Sequence, residues 1–318
     1  MIFTTHPLHP QVMADLATLG PLRVATTPTP AAIIAESHGA DIIVVRAPIP
    51  PEVLLREPGP KAVLRHGAGL DMIPLDLATA KGILVTNVPG ANAVTVAEHV
   101  IWTALALLRR YPKVSVDLQA KGWQAARSHA DLGRELSGRK IAIVGMGNVG
   151  RTLHRIAQHG FGMHTLAVTS RPGDLPDGAQ PVALRIALQQ ADILALCCPL
   201  TPATTNLIGA GELALLQPHA ILINVARGPV VNEPALIAAL QSHQISGAAL
   251  DVFDTQPLSP AHPFMTMTNV ILTPHMAGIT QESMWRMGQC VVRQTRAIVS
   301  GQQPEHLVNA AIWGQHRR

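Results

Sequence analysis

Three glycines, Gly145, Gly147 and Gly150, have the spacing that most directly indicates chemistry. They form a G-x-G-x-x-G pattern that follows an apolar, β-branched run at 141–144 and opens a helical pattern. The first glycine permits a tight turn, the second lets a pyrophosphate approach the backbone, and the third lets helix and strand pack closely. The glycine motif alone is weak evidence for a dinucleotide site, but here the predicted strand, helix and next strand follow one another at the expected spacing. The sequence therefore predicts a dinucleotide site at a helix N-terminus, with contacts at Gly145, Gly147, Asn148, Val149 and Gly150.

The residues after the second strand of this unit indicate which dinucleotide binds. An acidic residue is expected about 20 residues beyond the glycines, where it would bond the 2′-hydroxyl of the adenine ribose. This chain has Thr169, Ser170 and Arg171 instead. A guanidinium and two hydroxyls suit a 2′-phosphate, because charge-assisted hydrogen bonds to its oxygens are strong. We therefore expect NADP(H) to be preferred, with NAD(H) possible. Equal catalytic efficiency with both cofactors would contradict that preference.

The elements that must position these residues alternate between short apolar runs and helix-length amphipathic segments. This alternation predicts an α/β protein with parallel sheets covered on both faces, and 318 residues suggest about two domains. Strands are expected at 2–4, 22–25, 41–45, 61–65 and 83–86, then at 141–144, 165–168, 193–197, 220–225, 247–252 and 270–273. Helices are expected at 10–19, 30–38, 73–81, 149–159, 183–190, 210–216 and 233–242.

The middle of the chain differs from this pattern. Residues 93–110 read as one long helix that Tyr111 and Pro112 should end. The polar stretch 113–138 that follows is interpreted as an arm or connector. A final helix at 281–300 would return the chain to the first domain.

Composition excludes several classes of protein. The chain has 24 basic and 20 acidic residues, for a net charge of +4, and is 47% hydrophobic and 14% charged, which excludes a disordered, highly charged chain. Aromatic residues make up only 3%, too few to supply base-stacking platforms, and the basic residues are scattered. We therefore expect no nucleic-acid partner.

The cysteines and the apolar stretches point to a reducing, aqueous environment. Three cysteines, two of them adjacent, cannot form a disulfide framework, and no C-x-x-C or H-E-x-x-H motif supports a metal site. No secretory signal is evident at the N-terminus, and the longest apolar helical stretch, 94–108, is too short to span a bilayer. The sequence thus predicts no metal, no membrane partner and a cytoplasmic location.

Several further segments share one order along the chain. They are Val88-Pro89-Gly90-Ala91-Asn92, Val96-Ala97-Glu98-His99, the glycine motif, Pro199-Leu200-Thr201-Pro202-Ala203-Thr204, Asn224-Val225-Ala226-Arg227-Gly228, Leu250-Asp251-Val252-Phe253-Asp254-Thr255-Gln256-Pro257 and Thr273-Pro274-His275-Met276-Ala277-Gly278. Together they resemble the D-isomer-specific 2-hydroxyacid dehydrogenase family, over nearly the whole chain. The ordered set is far more specific than any single motif.

The resemblance implies a fold and an assembly. It implies a flavodoxin-like substrate domain from both chain ends and a Rossmann-type cofactor domain, a doubly wound parallel sheet, inserted between them. We place the substrate domain at 1–92, with 287–318 returning to it, and the Rossmann domain at 93–286. It also implies a homodimer, with the helix around Glu98 and the 113–138 arm at the interface.

The resemblance assigns the chemistry to Arg227, His275 and Gln256. Reduction of a 2-oxo acid needs a group that holds the carboxylate, a donor that polarises the carbonyl, and an acid. Arg227 fits the first two roles, because its planar fork can bind both oxygens. His275 fits the acid, since an ordinary histidine pKa is about 6.5. The family usually has glutamate where this chain has Gln256, which can still orient His275 but supplies no charge.

The remaining site residues also follow from the resemblance. The Arg65–Asp71 loop would grip the substrate carboxylate through Ala68 and Gly69, because glycines there let N–H groups face an anion. Asn92 would also reach the substrate, and Asp251 would bond the nicotinamide carboxamide. Further cofactor contacts are expected at Cys198, Pro199, Thr204, Val225, Ala226, His275 and Gly278.

The sequence favours a reductase of small 2-oxo acids, such as glyoxylate or hydroxypyruvate, and leaves three alternatives open. A 3-phosphoglycerate dehydrogenase would need a phosphate site that the sequence does not reveal. A formate dehydrogenase-like enzyme would share Gln256, His275 and Asn92, but this chain is short for that group. A dinucleotide-sensing corepressor would share the fold, but no disordered tails or peptide-docking features are evident.

Overall fold

The structure is a computed structural model that describes residues 1–316. Its contacts divide the chain into a first unit, Met1–Asn92 with Ile279–Arg318, and a second unit, Ala93–Gly278. The N-terminal part of the first unit contains strands β1 (Ile2–Thr4), β2 (Leu22–Val24), β3 (Ile42–Val45), β4 (Ala62–Arg65) and β5 (Leu84–Thr86). Its helices are α1 (Pro10–Ala17), α2 (Pro30–Glu36), α3 (Pro51–Leu54) and α4 (Leu75–Ala80).

The sheet of the first unit is parallel throughout, in the order β2-β1-β3-β4-β5. This is the flavodoxin-like order, with its switch point between β1 and β3. Strands β1 and β3 are buried along their whole length, and β4 is buried except at Arg65, which explains their apolar runs. Helices α1, α2 and α3 begin with proline, where the missing N–H has no intrahelical partner to lose.

The second unit begins with three consecutive helices and continues as a longer α/β series. The helices are α5 (Ala93–Leu108), α6 (Tyr111–Lys121) and α7 (Trp123–Arg127). The series is β6 (Lys140–Val144), α8 (Asn148–Phe161), β7 (His164–Val168), β8 (Ala179–Pro181), α9 (Leu184–Gln190), β9 (Ile193–Leu196), α10 (Ala210–Leu213), β10 (Ile221–Asn224), α11 (Glu233–Gln241), β11 (Gly247–Leu250) and β12 (Val270–Leu272).

The second sheet is also parallel throughout, in the order β12-β11-β10-β9-β6-β7-β8. The strand order reverses between β6 and β9, which is the Rossmann switch point. Ligands of such sheets bind at the carboxyl ends of the strands beside that point. The α/β fold class predicted from the sequence, with two parallel sheets, is confirmed.

The structure corrects the interpretation of the arm. Helix α5 ends at Leu108, and Arg110 then takes a left-handed conformation with φ of 54°. Tyr111 and Pro112 begin α6 instead of ending α5, because a proline in the first turn costs no hydrogen bond. No residue of α6 is buried, so its sequence lacks the apolar stripe that reveals a helix.

The final helix, α12 (Gln281–Val299), belongs to the first unit as one piece. Met287 and Val291 pack in the same core cluster as Val12 of α1. At Gly288 a Cβ would lie 2.3 Å from Val12 Cγ2, so the two helices touch backbone to side chain. The unit boundary falls after Gly278, eight residues before the predicted boundary at 286. The whole of α12 packs in the first unit, so the boundary precedes this helix.

Candidate active site

Two glycines of the motif, Gly145 before α8 and Gly150 in its first turn, stand where the chain itself leaves no room for a side chain. A Cβ on Gly145, whose φ is +99°, would lie 2.7 Å from the backbone of Cys198. A Cβ on Gly150 would lie 2.1 Å from the carbonyl oxygen of Gly145. Gly147 differs, because nothing lies within 4 Å of its Cβ position and its φ is an ordinary −78°. The open space at the start of α8 fits the pyrophosphate of a dinucleotide.

The segment after β7 carries the residues expected at the adenine ribose. Ser170 and Arg171 are exposed, and the Arg171 N–H donates to Thr169 Oγ1 at 3.1 Å. The nearest following carboxylate, Asp174, forms an ion pair of 2.8 Å with Arg151 of α8, whose guanidinium also donates to the Asp174 carbonyl. The ion pair offsets the negative charge that Asp174 would otherwise present to a 2′-phosphate bound here.

The segment after β9 lies directly beside the glycine loop. The Cys197 N–H donates to Val144 O at 2.8 Å, which extends the pairing of β9 with β6. Burial raises the pKa of Cys197 to about 12 and also raises that of Cys198, so both are neutral thiols. Thr204 closes the following turn, because its hydroxyl donates to Pro199 O at 2.7 Å.

Arg227 follows the carboxyl end of β10. Buried Asn224 shapes this turn: its Nδ2 donates to Arg227 O at 2.9 Å, and its Oδ1 accepts from the Ala226 N–H at 3.0 Å. Val225 N–H donates to β9. A Cβ on Gly228 would lie 2.0 Å from the Phe253 carbonyl carbon, so this turn lies directly against the segment after β11. Arg227, which is half-buried, is thereby fixed relative to that segment.

Asp251 organises the loop that carries His275. Its carboxylate is 2% exposed and accepts from Thr273 Oγ1 at 2.7 Å and from the N–H groups of Met276 and Ala277 at 2.8 and 2.9 Å. The His275 N–H donates to Asp251 O at 2.9 Å, and His275 itself is left-handed, with φ of 54°. Asp251 therefore fixes the backbone on both sides of the histidine, a role the sequence did not reveal.

The side chains of His275 and Gln256 meet at the same edge of the sheet. His275 Nδ1 lies 3.1 Å from Gln256 Oε1, while Gln256 Nε2 faces Phe253 O at 3.5 Å. Because the amide oxygen only accepts, Nδ1 carries the ring proton, and a proton exchanged with a substrate would be carried at Nε2. The backbone N–H of Asp254 donates to Glu233 Oε2 at 3.3 Å. Burial, and then Glu233, raise the pKa of the Asp254 carboxyl.

Helix α5 also contributes to this network, through His99. Thr273 donates its hydroxyl proton to Asp251, so it accepts from His99 Nε2 at 3.3 Å. The ring of His99 packs edge-on against Trp102, with centroids 5.3 Å apart. Burial lowers the pKa of His99, while the charge of Asp251 acts in the opposite direction. His99 is thus a neutral donor that supports the position of Thr273.

In the first unit, the loop after β4 holds the expected substrate-binding residues. Arg65 Nε donates to Gly69 O at 3.0 Å, and Asn87 Nδ2 donates to Ala68 O at 2.8 Å. These bonds tie down the carbonyl groups, whereas the N–H groups of Ala68 and Gly69 have no acceptor within residues 1–316. The loop thus presents two N–H donors, as an anion site requires. Asn92, half-buried, is the last residue of this unit before α5.

Two other groups of the first unit were not apparent from the sequence. His66 is 3% exposed, and burial, with Arg46 and Arg65 nearby, lowers its pKa to about 3, so the ring is neutral. Cys290, Glu305 and His306 bring three potential metal ligands within 4.8 Å of one another, but Arg293 Nε already bonds Glu305 at 2.8 Å. No helix within residues 1–316 is long and apolar enough to cross a membrane.

Comparison with known proteins identifies the family. Residues 101–277 match the model of the D-isomer specific 2-hydroxyacid dehydrogenase NAD binding domain. D-3-phosphoglycerate dehydrogenase of Methanocaldococcus jannaschii is 33% identical over 97% of this chain, which spans only 59% of that relative's length. Glyoxylate reductase of Korarchaeum cryptofilum is 35% identical over 90% of this chain and 87% of its own.

Solved structures agree with the sequence relatives. The NADPH-dependent glyoxylate/hydroxypyruvate reductase of Sinorhizobium meliloti, solved with NADP and malonate, superposes with a TM-score of 0.87 at 28% identity, over 100% of this chain and 98% of its own. The chain belongs to the D-isomer specific 2-hydroxyacid dehydrogenase family. The family predicted from the sequence is confirmed, and with it the class of NAD(P)-dependent D-2-hydroxyacid dehydrogenases.

Proposed function

We propose that this chain is an NADPH-preferring reductase of small 2-oxo acids, with glyoxylate or hydroxypyruvate as substrate. The observation that carries the proposal is the 3.1 Å contact between His275 Nδ1 and Gln256 Oε1, at the sheet edge where Arg227 also lies. The names of the relatives from K. cryptofilum and S. meliloti favour the same substrates. The exposed Arg171, with Asp174 neutralised by Arg151, supports NADPH over NADH.

The proposed mechanism divides the work among three side chains of the second unit. The nicotinamide, when bound, supplies the hydride. Arg227 holds the substrate carboxylate and polarises the carbonyl, because its guanidinium presents parallel N–H donors. His275 transfers the proton at Nε2 to the developing alkoxide, since Nδ1 is engaged by Gln256. Gln256 positions the ring without stabilising its charge, so we expect His275 to titrate lower than in relatives with glutamate.

The other site residues complete the proposal. We assign the N–H groups of Ala68 and Gly69, with Asn92, to the substrate, and the glycine loop with residues 198–204 and 225–226 to the cofactor. We keep Asp251 as a contact of the nicotinamide carboxamide. Its carboxylate already accepts three hydrogen bonds from the 273–277 loop, so the carboxamide would share those oxygens with the loop. A homodimer formed through α5–α7 and a cytoplasmic location also remain predictions.

Initial rates of NADPH and NADH oxidation, measured with glyoxylate and hydroxypyruvate across pH, test the function. We expect turnover with both acids, higher kcat/KM with NADPH, and a loss of at least 100-fold in Arg227→Gln and His275→Gln. Arg185→Gln, an exposed change on α9, is the control. Oxidation of 3-phosphoglycerate or formate in place of these reductions would select an alternative enzyme. Dinucleotide binding without any turnover would favour the corepressor-like alternative.

A further inference from the structure

Gln256, which contacts the proposed proton donor, lies on an exposed loop of the second unit. The loop consists of residues 254–262, between β11 and β12. Seven of its nine residues are exposed, the exceptions being Leu258 and His262. Burial therefore fixes little of this loop, although the 3.1 Å contact of Gln256 with His275 requires a defined position. Groups outside the loop must supply that position.

One carboxylate of α11 holds both ends of the 254–262 loop. Glu233 Oε2 accepts from the backbone N–H of Asp254 at 3.3 Å, and Glu233 Oε1 lies 3.0 Å from His262 Nε2. His262 Nδ1 accepts from the Phe264 N–H at 3.3 Å, so the ring proton is at Nε2 and is donated to Glu233. Both contacts therefore form with a neutral histidine ring, and a single side chain ties the two ends of the loop together.

Glu233 is itself held in place by the start of α11. It is the first residue of that helix, and the Asn232 side chain caps the helix by accepting from the Ala235 N–H at 3.0 Å. The Asn232 N–H donates to Ile208 O at 2.9 Å, which ties the helix start to the segment before α10. The helix dipole also favours a carboxylate in the first turn. Because the Glu233 side chain is only 17% exposed, its carboxylate is a fixed anchor for the loop.

We propose that Glu233 is a positioning residue of the proton-transfer site, which holds the 254–262 loop so that Gln256 keeps the ring proton of His275 on Nδ1. This inference rests on the proposed function and extends it from the Gln256–His275 pair to α11. A glutamine in place of Glu233 has the same size but presents one acceptor and one donor group. It would hold only one end of the loop, and Gln256 would lose its defined position.

The tautomer of His275 tests the proposal directly and requires no turnover. Long-range ¹H–¹⁵N correlation spectra of the full chain, labelled with ¹⁵N-histidine and recorded well above the ordinary histidine pKa, report which ring nitrogen carries the proton. The His275 signal is the one lost in His275→Gln. The test variants are Glu233→Gln and Gln256→Ala, singly and combined. Glu212→Gln is the control, because it makes the same change in the first turn of α10, where the carboxylate accepts from the Gly209 N–H at 3.1 Å.

We expect the His275 proton on Nδ1 in the wild type and in the control. The ratio of the Nδ1–H to the Nε2–H tautomer should fall at least twofold in Glu233→Gln. The same change should have no further effect in the Gln256→Ala background, because Glu233 acts through Gln256. His262→Asn is a second variant, in case thermal unfolding shows that Glu233→Gln does not fold. It keeps an acceptor for the Phe264 N–H but is too short to reach Glu233, so the ratio should again fall.

A tautomer ratio that is equal in Glu233→Gln and the wild type overturns the proposal. An equal fall in both backgrounds also overturns it, because a general loss of structure adds to the effect of Gln256→Ala. With the tautomers as expected, kcat for glyoxylate should fall at least fivefold in Glu233→Gln, while the KM for NADPH stays within twofold. The expected tautomers without any turnover would support the positioning role and contradict the proposed function instead.

Discussion

At the scale of single residues, we expect Gln256 to determine the pH range in which the proposed proton donor works. Gln256→Glu would place a carboxylate against His275 Nδ1, now 3.1 Å from the amide oxygen. A neighbouring carboxylate raises a histidine pKa by about 1–3 units. Reduction needs the imidazolium and is lost as pH rises through that pKa. We therefore expect the alkaline fall-off of kcat/KM to move to higher pH in the variant, measured by initial rates from pH 5 to 9.

Gln241→Glu is the matched control for this change, because it adds the same charge at an exposed position at the end of α11. Its pH profile should equal that of the wild type. An unchanged profile in Gln256→Glu would contradict the pairing of Gln256 with His275.

Two glycines of the cofactor loop are expected to have different roles, Gly150 in the fold and Gly147 in binding. Gly150→Ala forces a Cβ to within 2.1 Å of Gly145 O, so we expect a loss of stability of about 1–3 kcal/mol or more. Gly147→Ala meets nothing within 4 Å and should unfold like the wild type. It should nevertheless bind NADPH at least tenfold more weakly, because its methyl group occupies the space assigned to pyrophosphate. Thermal unfolding and fluorescence titration with NADPH measure the two effects.

The same stability loss in both variants would show that Gly147, too, serves only the fold. Equal NADPH affinity in Gly147→Ala and the wild type would exclude the pyrophosphate from this position.

Residue types in order along the chain led to the prediction of Arg227, Gln256 and His275 as site residues, but they did not indicate which groups hold these residues in place. Asp251 bonds Thr273, Met276 and Ala277, more than 20 residues further on. Such a contact leaves no periodic pattern in the sequence, and the sequence does not distinguish a buried aspartate from an exposed one. Gly228 was likewise read as part of a motif, although the backbone of Phe253 is what excludes a side chain there.

At the scale of elements, we expect the segment after β7 to set the cofactor preference. In Arg171→Gln the loss of charge-assisted hydrogen bonds, about 1.5–3 kcal/mol, should lower kcat/KM for NADPH roughly 10- to 100-fold. The value for NADH should change little, because NADH lacks the 2′-phosphate. Arg185→Gln, with the same change of charge, should leave both values as they are. A parallel loss with both cofactors would refute the assignment of this segment.

Most elements were predictable because burial imposes a period on apolar residues. Strands such as β1 and helices such as α12 follow the sequence prediction closely. The exceptions bury little: α6 has no buried residue, and β8 is an edge strand with only Ala179 buried. The four-residue helix α3 is too short to show a helical period. Elements stabilised by few buried contacts leave no pattern in the sequence.

At the scale of the whole molecule, exposed apolar side chains are concentrated on α5–α7 and the segment that follows. Of the 15 large exposed apolar side chains among residues 1–316, seven lie between Val94 and Leu132, and Trp123 is 70% exposed. Such a concentration is typical of a protein–protein interface. We expect light scattering to show a dimer, and Val116→Glu/Trp123→Glu to be monomeric. Val299→Glu, which is equally apolar and 58% exposed in the first unit, should remain dimeric.

A monomeric wild-type protein at micromolar concentration would contradict this interface, as would a double variant that stays dimeric. Thermal unfolding of the double variant distinguishes dissociation from loss of fold.

The division of the chain into two units has a consequence for how this enzyme can diversify. Arg227, Gln256, His275 and the cofactor loop all lie within 93–278, whereas Ala68, Gly69 and Asn92 lie outside it. Selectivity for a new acid can therefore arise by exchange of residues 1–92 and 279–318 alone, with proton transfer and cofactor choice left as they are. A chimera that joins residues 93–278 of this chain to the outer segments of a relative should have the dinucleotide preference of this chain and the acid preference of the relative.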